Sequence, residues 1–449
     1  MSQAEAVLES ERPNLAIPVG VVLVVLGVVL SGTVLEWALF PAGTLVGTTR
    51  RALALGIGRL VLGAAGIYLV TKRPRLTAID LTAFTITGVV SALVGAVLLQ
   101  LAYVPPRVVS GWKSAVPVAE RNELGFRGRH LTYSADDYVV LLLGDSQVES
   151  TALAFDAMPE RLLESHLGMP NARVFSIGTG GYGQDQELLA LEEYFAKQRA
   201  NLVVLWQTPG NDVWNNVFKT HMANRNPKPT FWLDQSRTLQ GPSEGLLEPM
   251  GTSRVVVFGL LQRAFGLPWR DRSWERSLPP AYVPMARYDG PVRTDWQERW
   301  ATNLGRMRDE NLDTEKSHMA VKLTPRSPRM QYGLDLTHAL IGRIQQVALA
   351  NHARLVVFSA DAPPETMNDE VYVLNGKYYR MSERQFGENW RDVNDGFDAE
   401  TIPVTVRDWR VSAEDGHLNQ QATDQVMSEL AQRLRARIVG QRSALSTAE

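Results

Sequence analysis

The sequence predicts an α/β domain, a parallel sheet layered between helices, preceded by about three membrane-spanning helices. Charge placement predicts the division. Residues 13–103 carry only eight charged side chains (Glu36, Arg50, Arg51, Arg59, Lys72, Arg73, Arg75 and Asp80), whereas residues 104–449 have the density of a soluble protein. Alternating short apolar runs and helical stretches beyond residue 137 predict the α/β class. The length of 449 residues suits two or three folding units at ~150 residues each.

Three apolar stretches, Leu15–Leu35, Ala52–Thr71 and Ile79–Val104, each approach or exceed the ~20 residues needed to cross a bilayer as a helix. A cleavable signal peptide fits poorly, because the tail before the first stretch is acidic (Glu5, Glu9, Glu11) and two more stretches follow. Three spans place the tail (1–14) and the globular domain on opposite sides. Basic residues tie between the sides: Arg12, Lys72, Arg73 and Arg75 against Arg50, Arg51, Arg107 and Lys113. The compact Lys72-Arg73-Pro74-Arg75 cluster lies in a very short loop, where the positive-inside bias acts best. That loop is therefore expected in the cytoplasm and the large domain outside, in the periplasm or at the cell surface. Arg59 sits eight residues, about 12 Å, beyond Arg51. It is either a functional intramembrane charge, a snorkelling side chain or a group packed between helices.

A polar connector (105–137) leads to the domain at 138–439, and a short tail (440–449) follows. Tyr138–Leu143 is a continuous apolar run of strand length that suits a buried parallel strand, and Arg173–Ile177, Asn201–Gln207 and Arg354–Ser359 read as further strands. Phe155–Leu167, Gln184–Lys197, Gly333–Asn351 and Leu418–Val439 read as helices. Residues 221–330 interrupt the rhythm with Trp232, Trp269, Trp274, Trp296 and Trp300 and no clean period. Such an insertion either shapes a binding face or forms a subdomain with its own core. Val371–Met381 carries Asn375-Gly376 between alternating runs and predicts a two-residue hairpin.

Composition excludes several chemistries. There is no cysteine, so disulfides, thiolate zinc sites, iron–sulfur ligation and cysteine nucleophiles are out. The 46 basic and 48 acidic residues balance, which gives no global footprint for nucleic acid.

Four short motifs remain. Gly144-Asp145-Ser146 follows the first strand, where ligand sites of open α/β sheets lie. Ser146 there is either a nucleophile or part of a helix cap. Val148 breaks the Gly-x-Ser-x-Gly pattern of an α/β-hydrolase elbow. Gly178-Thr-Gly180-Gly181-Tyr-Gly183 matches G-x-G-x-x-G, but no acidic residue ends the next strand, as a dinucleotide site requires. The same glycines could bring a backbone N–H close to an anionic intermediate. Gly210-Asn211-Asp212 follows the third strand, and Asn211 is either an oxyanion donor or a turn residue. His417, in Glu414-Asp415-Gly416-His417-Leu418-Asn419, has acidic neighbours able to orient an imidazole, unless it is a surface residue of a helix start.

The order of these motifs resembles the SGNH (GDSL-type) hydrolase family across about residues 122–435, the insertion excepted. Asn122-Glu-Leu-Gly125-Phe-Arg127-Gly128 is similar to the segment that precedes the nucleophile in many members. The family's Asn opening the glycine block is Ser176 here, and the Gly after His-Leu-Asn-x-x is Ala422. The usual acid position holds Glu414; Asp415, two before the His, resembles the polysaccharide O-acetylation branch and is chosen, with Glu414 in reserve.

The resemblance implies a three-layer α/β/α SGNH-like fold and a serine esterase or acyltransferase. Catalysis would fall to Ser146, His417 and Asp415, with an oxyanion hole of the Ser146 and Gly181 N–H groups and the Asn211 amide, and no metal or organic cofactor. The implied substrate is a small acyl ester, acetyl on a cell-envelope glycan. Alternatives are a lipid or lysolipid ester, acetyl transfer with a membrane acyl-donor protein as partner, and a non-catalytic glycan-binding scaffold. Expected partners are thus the ester-bearing glycan or lipid and the membrane lipids.

Overall fold

The computed structural model describes residues 13–29, 49–102, 107–108, 113–221, 226–243, 245–246, 277–294, 311–361, 369–412 and 415–446. These divide into two units, one holding the described residues up to 102 and the other those from 107 onward.

The first unit has three helices: α1 (Ala16–Val29), α2 (Thr49–Lys72) and α3 (Ala78–Ala102). Contacts pair Gly20 with Gly66 and Gly27 with Arg59 and Gly63, so α1 and α2 run antiparallel. A Cβ on Gly20 would stand 2.7 Å from the Gly66 carbonyl oxygen, which glycine alone avoids. Small residues let helices approach this closely inside a lipid-like environment. Arg59 Nε donates to the Gly27 carbonyl at 2.8 Å, which assigns it to packing between these helices. Thr77 and Asp80 cap α3 reciprocally: Asp80 accepts the Thr77 N–H at 2.9 Å, and Thr77 Oγ1 accepts the Asp80 N–H at 3.3 Å. Among the described residues, one helix, over Ala78–Leu98, is long and apolar enough to cross a membrane. The described part of the first apolar stretch forms the 14-residue helix α1, and its remainder beyond Val29 lies outside the described residues.

The second unit is built on a five-stranded sheet. In chain order its elements are β1 (Tyr138–Gly144), α4 (Ser146–Glu149), α5 (Pro159–Leu167), β2 (Ala172–Gly178), α6 (Gln184–Phe195), β3 (Leu202–Gln207) and α7 (Pro209–Val217). There follow α8 (Pro328–Ala350), β4 (Arg354–Asp361), the hairpin β5 (Glu370–Leu374) and β6 (Lys377–Met381), α9 (Glu383–Asn394), β7 (Ala399–Pro403) and α10 (Gln420–Ser446). The sheet order is β7-β4-β3-β1-β2, with every pair parallel. The apolar runs are continuous because both faces are covered. Val139, Leu141 and Leu143 of β1 join a core with α6, α7, α8 and α9, while Tyr138, Val140 and Leu142 join one with α5 and α10.

The structure shifts several expected boundaries. The helix expected over Phe155–Leu167 is a 3-10 turn (Phe155–Ala157) and then α5, because Met158 before Pro159 is extended. The helix expected from Gly333 starts at Pro328, capped by the Ser327 hydroxyl on the Met330 N–H at 2.9 Å. The closing helix, expected over Leu418–Val439, runs over Gln420–Ser446. Asn375 (φ +50) and Gly376 (φ +74) form the expected hairpin turn. The strand β7 and helix α9 have no counterpart in the sequence reading.

The described parts of the insertion do not form a separate core. Phe231, Tyr282, Leu312, Ala320, Val321, Leu323 and Met330 pack into the main one. Trp269, Trp274, Trp296 and Trp300 lie outside the described residues.

Candidate active site

Three of the four motifs stand at the carboxyl ends of the adjacent strands β1, β2 and β3. The backbones crowd there. A Cβ on Gly144 would meet Val148 Cγ2 at 2.6 Å, and one on Gly178, its register partner, would meet the Gly144 carbonyl oxygen at 2.4 Å. Both positions therefore need glycine.

Asp145 is fully buried and caps α4, its Oδ1 accepting the Gln147 N–H at 2.9 Å. The same oxygen accepts the Thr208 hydroxyl at 3.1 Å, and Oδ2 accepts from Asn211 Nδ2 at 3.0 Å. One carboxylate thus joins the start of the Ser146 helix to the Asn211 helix. Ser146 itself is half-buried. Asn211 lies in the first turn of α7, 5% exposed, and its Oδ1 has no partner among the described residues. Asp145 fixes the amide orientation, because only the nitrogen can donate to a carboxylate.

The glycine segment after β2 has its own structural duties. Gly181 holds φ +79 in a turn closed by the Tyr182 N–H on the Thr179 carbonyl at 3.2 Å. A Cβ on Gly183 would meet Asn216 Oδ1 at 2.5 Å, so this glycine serves close helix packing. Turn and packing account for the G-x-G-x-x-G match without a nucleotide. Among the described residues the N–H groups of Ser146 and Gly181 take no acceptor.

The fourth motif forms a compact loop before α10. Asp415 Oδ1 accepts the His417 N–H at 3.1 Å and also meets the Nδ1 of that imidazole. Val411 N–H donates to the His417 carbonyl at 3.0 Å, and Asn419 N–H to the Trp409 carbonyl at 2.8 Å. Leu418 N–H reaches Gln147 Oε1 at 3.4 Å, tying this loop to the helix that Ser146 begins. No hydrogen bond joins Ser146 Oγ to His417 among the described residues; such bonds often tighten only with substrate bound. Glu414 lies outside the described residues.

The segment before β1 braces this arrangement. Asn122 Oδ1 accepts the Leu124 and Phe126 N–H groups at 3.1 Å each, and its Nδ2 donates to the Ser176 carbonyl at 3.1 Å. Arg127, 4% exposed, donates to the carbonyls of Glu149 at 3.2 Å and Leu153 at 2.9 Å, and to that of Ser150. Ser176 donates its hydroxyl to Glu160 at 2.9 Å. Sequence reasoning missed Glu149, whose signal was faint: an acidic side chain one turn after Ser146.

Behind Asn211 lies a buried acidic group: Asp145, Asp185, Glu187 and Asp212, with Lys228 paired to Asp185. Burial pushes the Glu187 carboxyl well above its usual range, and Asp212, Asp145 and Asp185 reinforce the shift. Burial and Asp145 do the same to Asp212. An acid with a raised native pKa binds its proton more tightly folded than unfolded. Its contribution is fully present below the unfolded value near 4 and declines as pH rises through the native one. Glu187→Gln is therefore expected to stabilise the domain at pH 8, by roughly 1–3 kcal/mol. At pH 4 that gain should vanish. Thermal unfolding of both proteins across this range checks it, and a pH-independent difference contradicts it.

No protein-family model matches the chain, and no curated protein matches it. Among solved structures it is similar to a putative arylesterase from Agrobacterium tumefaciens str. C58, at 13% identity and TM-score 0.30. It is also similar to Est24, a carbohydrate acetylesterase from Sinorhizobium meliloti, at 10% identity and TM-score 0.30. Each match covers 67% of this chain and 99% of the other. At these values the site is read from its own residues.

Proposed function

We propose that this chain is a membrane-anchored serine hydrolase acting on small acyl esters, with acetyl groups on cell-envelope glycans as substrate. Ser146 attacks the ester carbonyl carbon while His417 takes its proton, with Asp415 holding the imidazole. The oxyanion rests on the Ser146 and Gly181 N–H groups and the Asn211 amide. His417 then protonates the departing alcohol oxygen, and water attacks the acyl-Ser146 by the same route. The observation that carries this reading is the Leu418–Gln147 tether, which brings the Asp415–His417 loop to the helix headed by Ser146.

The test is turnover of 4-nitrophenyl esters by the detergent-purified full chain, with fluorophosphonate labelling. Acetyl ester should be cleaved faster than octanoyl ester, and the label should map to Ser146. No turnover of any ester and no label refute the proposal.

Anchoring is by three spans with the catalytic unit outside the cytoplasm. In support, Asn14 Oδ1 accepts the N–H groups of Ala16 and Leu76 at 3.1 Å each, which sets the start of α1 beside the basic Lys72–Arg75 loop. A reporter active only outside the cytoplasm should work when fused after Glu449 and fail after Arg75. The reverse pattern would place the site in the cytoplasm and discard the envelope substrate.

A further inference from the structure

Glu149 ends α4, one helical turn after Ser146, and is 7% exposed. Its carboxylate takes two donors from the glycine segment: the Gly180 N–H on Oε2 at 2.7 Å and the Thr179 hydroxyl on Oε1 at 2.9 Å. Its own carbonyl oxygen is held by Arg127 Nη1 at 3.2 Å. A Cβ on Gly180 would lie 3.4 Å from Glu149 Oε2 and 3.8 Å from Ser146 Cβ, so the segment runs directly against the Ser146 helix. We propose that Glu149 is a positioning residue for the oxyanion hole, clamping the Thr179–Tyr182 turn so that the Gly181 N–H faces the ester carbonyl attacked by Ser146. This rests on the serine-hydrolase reading above.

The clamp also decides which glycine donates. Gly180 spends its N–H on Glu149, and Gly181, at φ +79, keeps its own for the substrate. A carboxylate beside a developing oxyanion repels it, so a purely electrostatic influence of Glu149 would slow the reaction. Positioning has the opposite sign. The bonds of Glu149 to an N–H and an O–H are charge-assisted and stronger than those an amide would make.

The experiment compares wild type with Glu149→Gln in the detergent-purified full chain, using 4-nitrophenyl acetate and a fluorophosphonate. The variant keeps the side-chain shape but replaces one acceptor oxygen with a donor. Its kcat should fall about 10–100-fold, less than the 10²–10³ of a deleted oxyanion donor. KM should stay within about twofold, phosphonylation of Ser146 should slow in parallel, and the Tm should hold. A kcat equal to or above wild type, or a change in KM alone, overturns the proposal. If Glu149→Gln does not fold, Thr179→Val decides: it removes one of the two bonds, and an unchanged kcat overturns the clamp. A wild-type protein inert to both reagents brings down the hydrolase reading and the clamp with it. An active wild type with an indifferent Glu149→Gln brings down the clamp alone.

Discussion

Ser146→Ala is expected to reduce ester turnover by about 10⁴-fold or more, with the fold intact. The fold should survive because the Ser146 hydroxyl has no structural duty. The start of α4 is capped by the Asp145 carboxylate, and the surrounding core is Val148 and the buried strand β1. Activity should fall this far because, on the proposed mechanism, neither the oxyanion donors nor His417 can replace the missing nucleophile. The measurement is kcat/KM for the acetyl ester beside thermal unfolding of the same preparation. Full activity in a folded Ser146→Ala protein would remove Ser146 from the chemistry.

Asp415→Asn should cost nearly as much, about 10⁴-fold in kcat, with little change in KM. Asp415 Oδ1 receives the His417 N–H and meets Nδ1; on the proposed mechanism this holds the proton on Nδ1 and leaves Nε2 as the base. An asparagine can keep the backbone bond, yet its amide nitrogen can turn towards Nδ1 and favour the wrong tautomer. It also cannot stabilise the imidazolium as a carboxylate does. Glu414→Gln is the comparison, expected near wild type. If the two effects exchange places, Glu414 is the acid that orients the ring.

The strands that became legible are those buried on both faces. Tyr138–Leu143 and Leu355–Phe358 are continuous apolar runs because helices cover each side of the sheet. The edge strand β7, Ala399–Pro403, escaped for the opposite reason: of its five residues Ile402 alone is buried, leaving no apolar run. Helix α9 was missed because its sequence, ERQFGENWRDVN, is polar on most sides and buries only Asn389, Val393 and Asn394. The four candidate motifs stood out because reactive residue types stand directly after apolar strands or beside a helix start. Glu149 did not, since the groups it holds, the Thr179 hydroxyl and the Gly180 N–H, lie 30 and 31 residues further along the chain and nothing local marks that pairing.

The Leu418–Gln147 bond joins residues 271 positions apart, and α10 covers the sheet face that also holds α5. On the ribosome, at ~5–20 residues per second, the first side of this contact waits about 14–54 s for the second. During that interval the nascent chain carries Ser146 without His417 and has the α10 side of its sheet bare. The contact between the Ser146 helix and the Asp415–His417 loop thus forms only after the whole intervening chain has been made. A chain stalled or cleaved before residue 415 would lack both residues of that loop and expose the apolar sheet face that α10 covers, and is expected to aggregate.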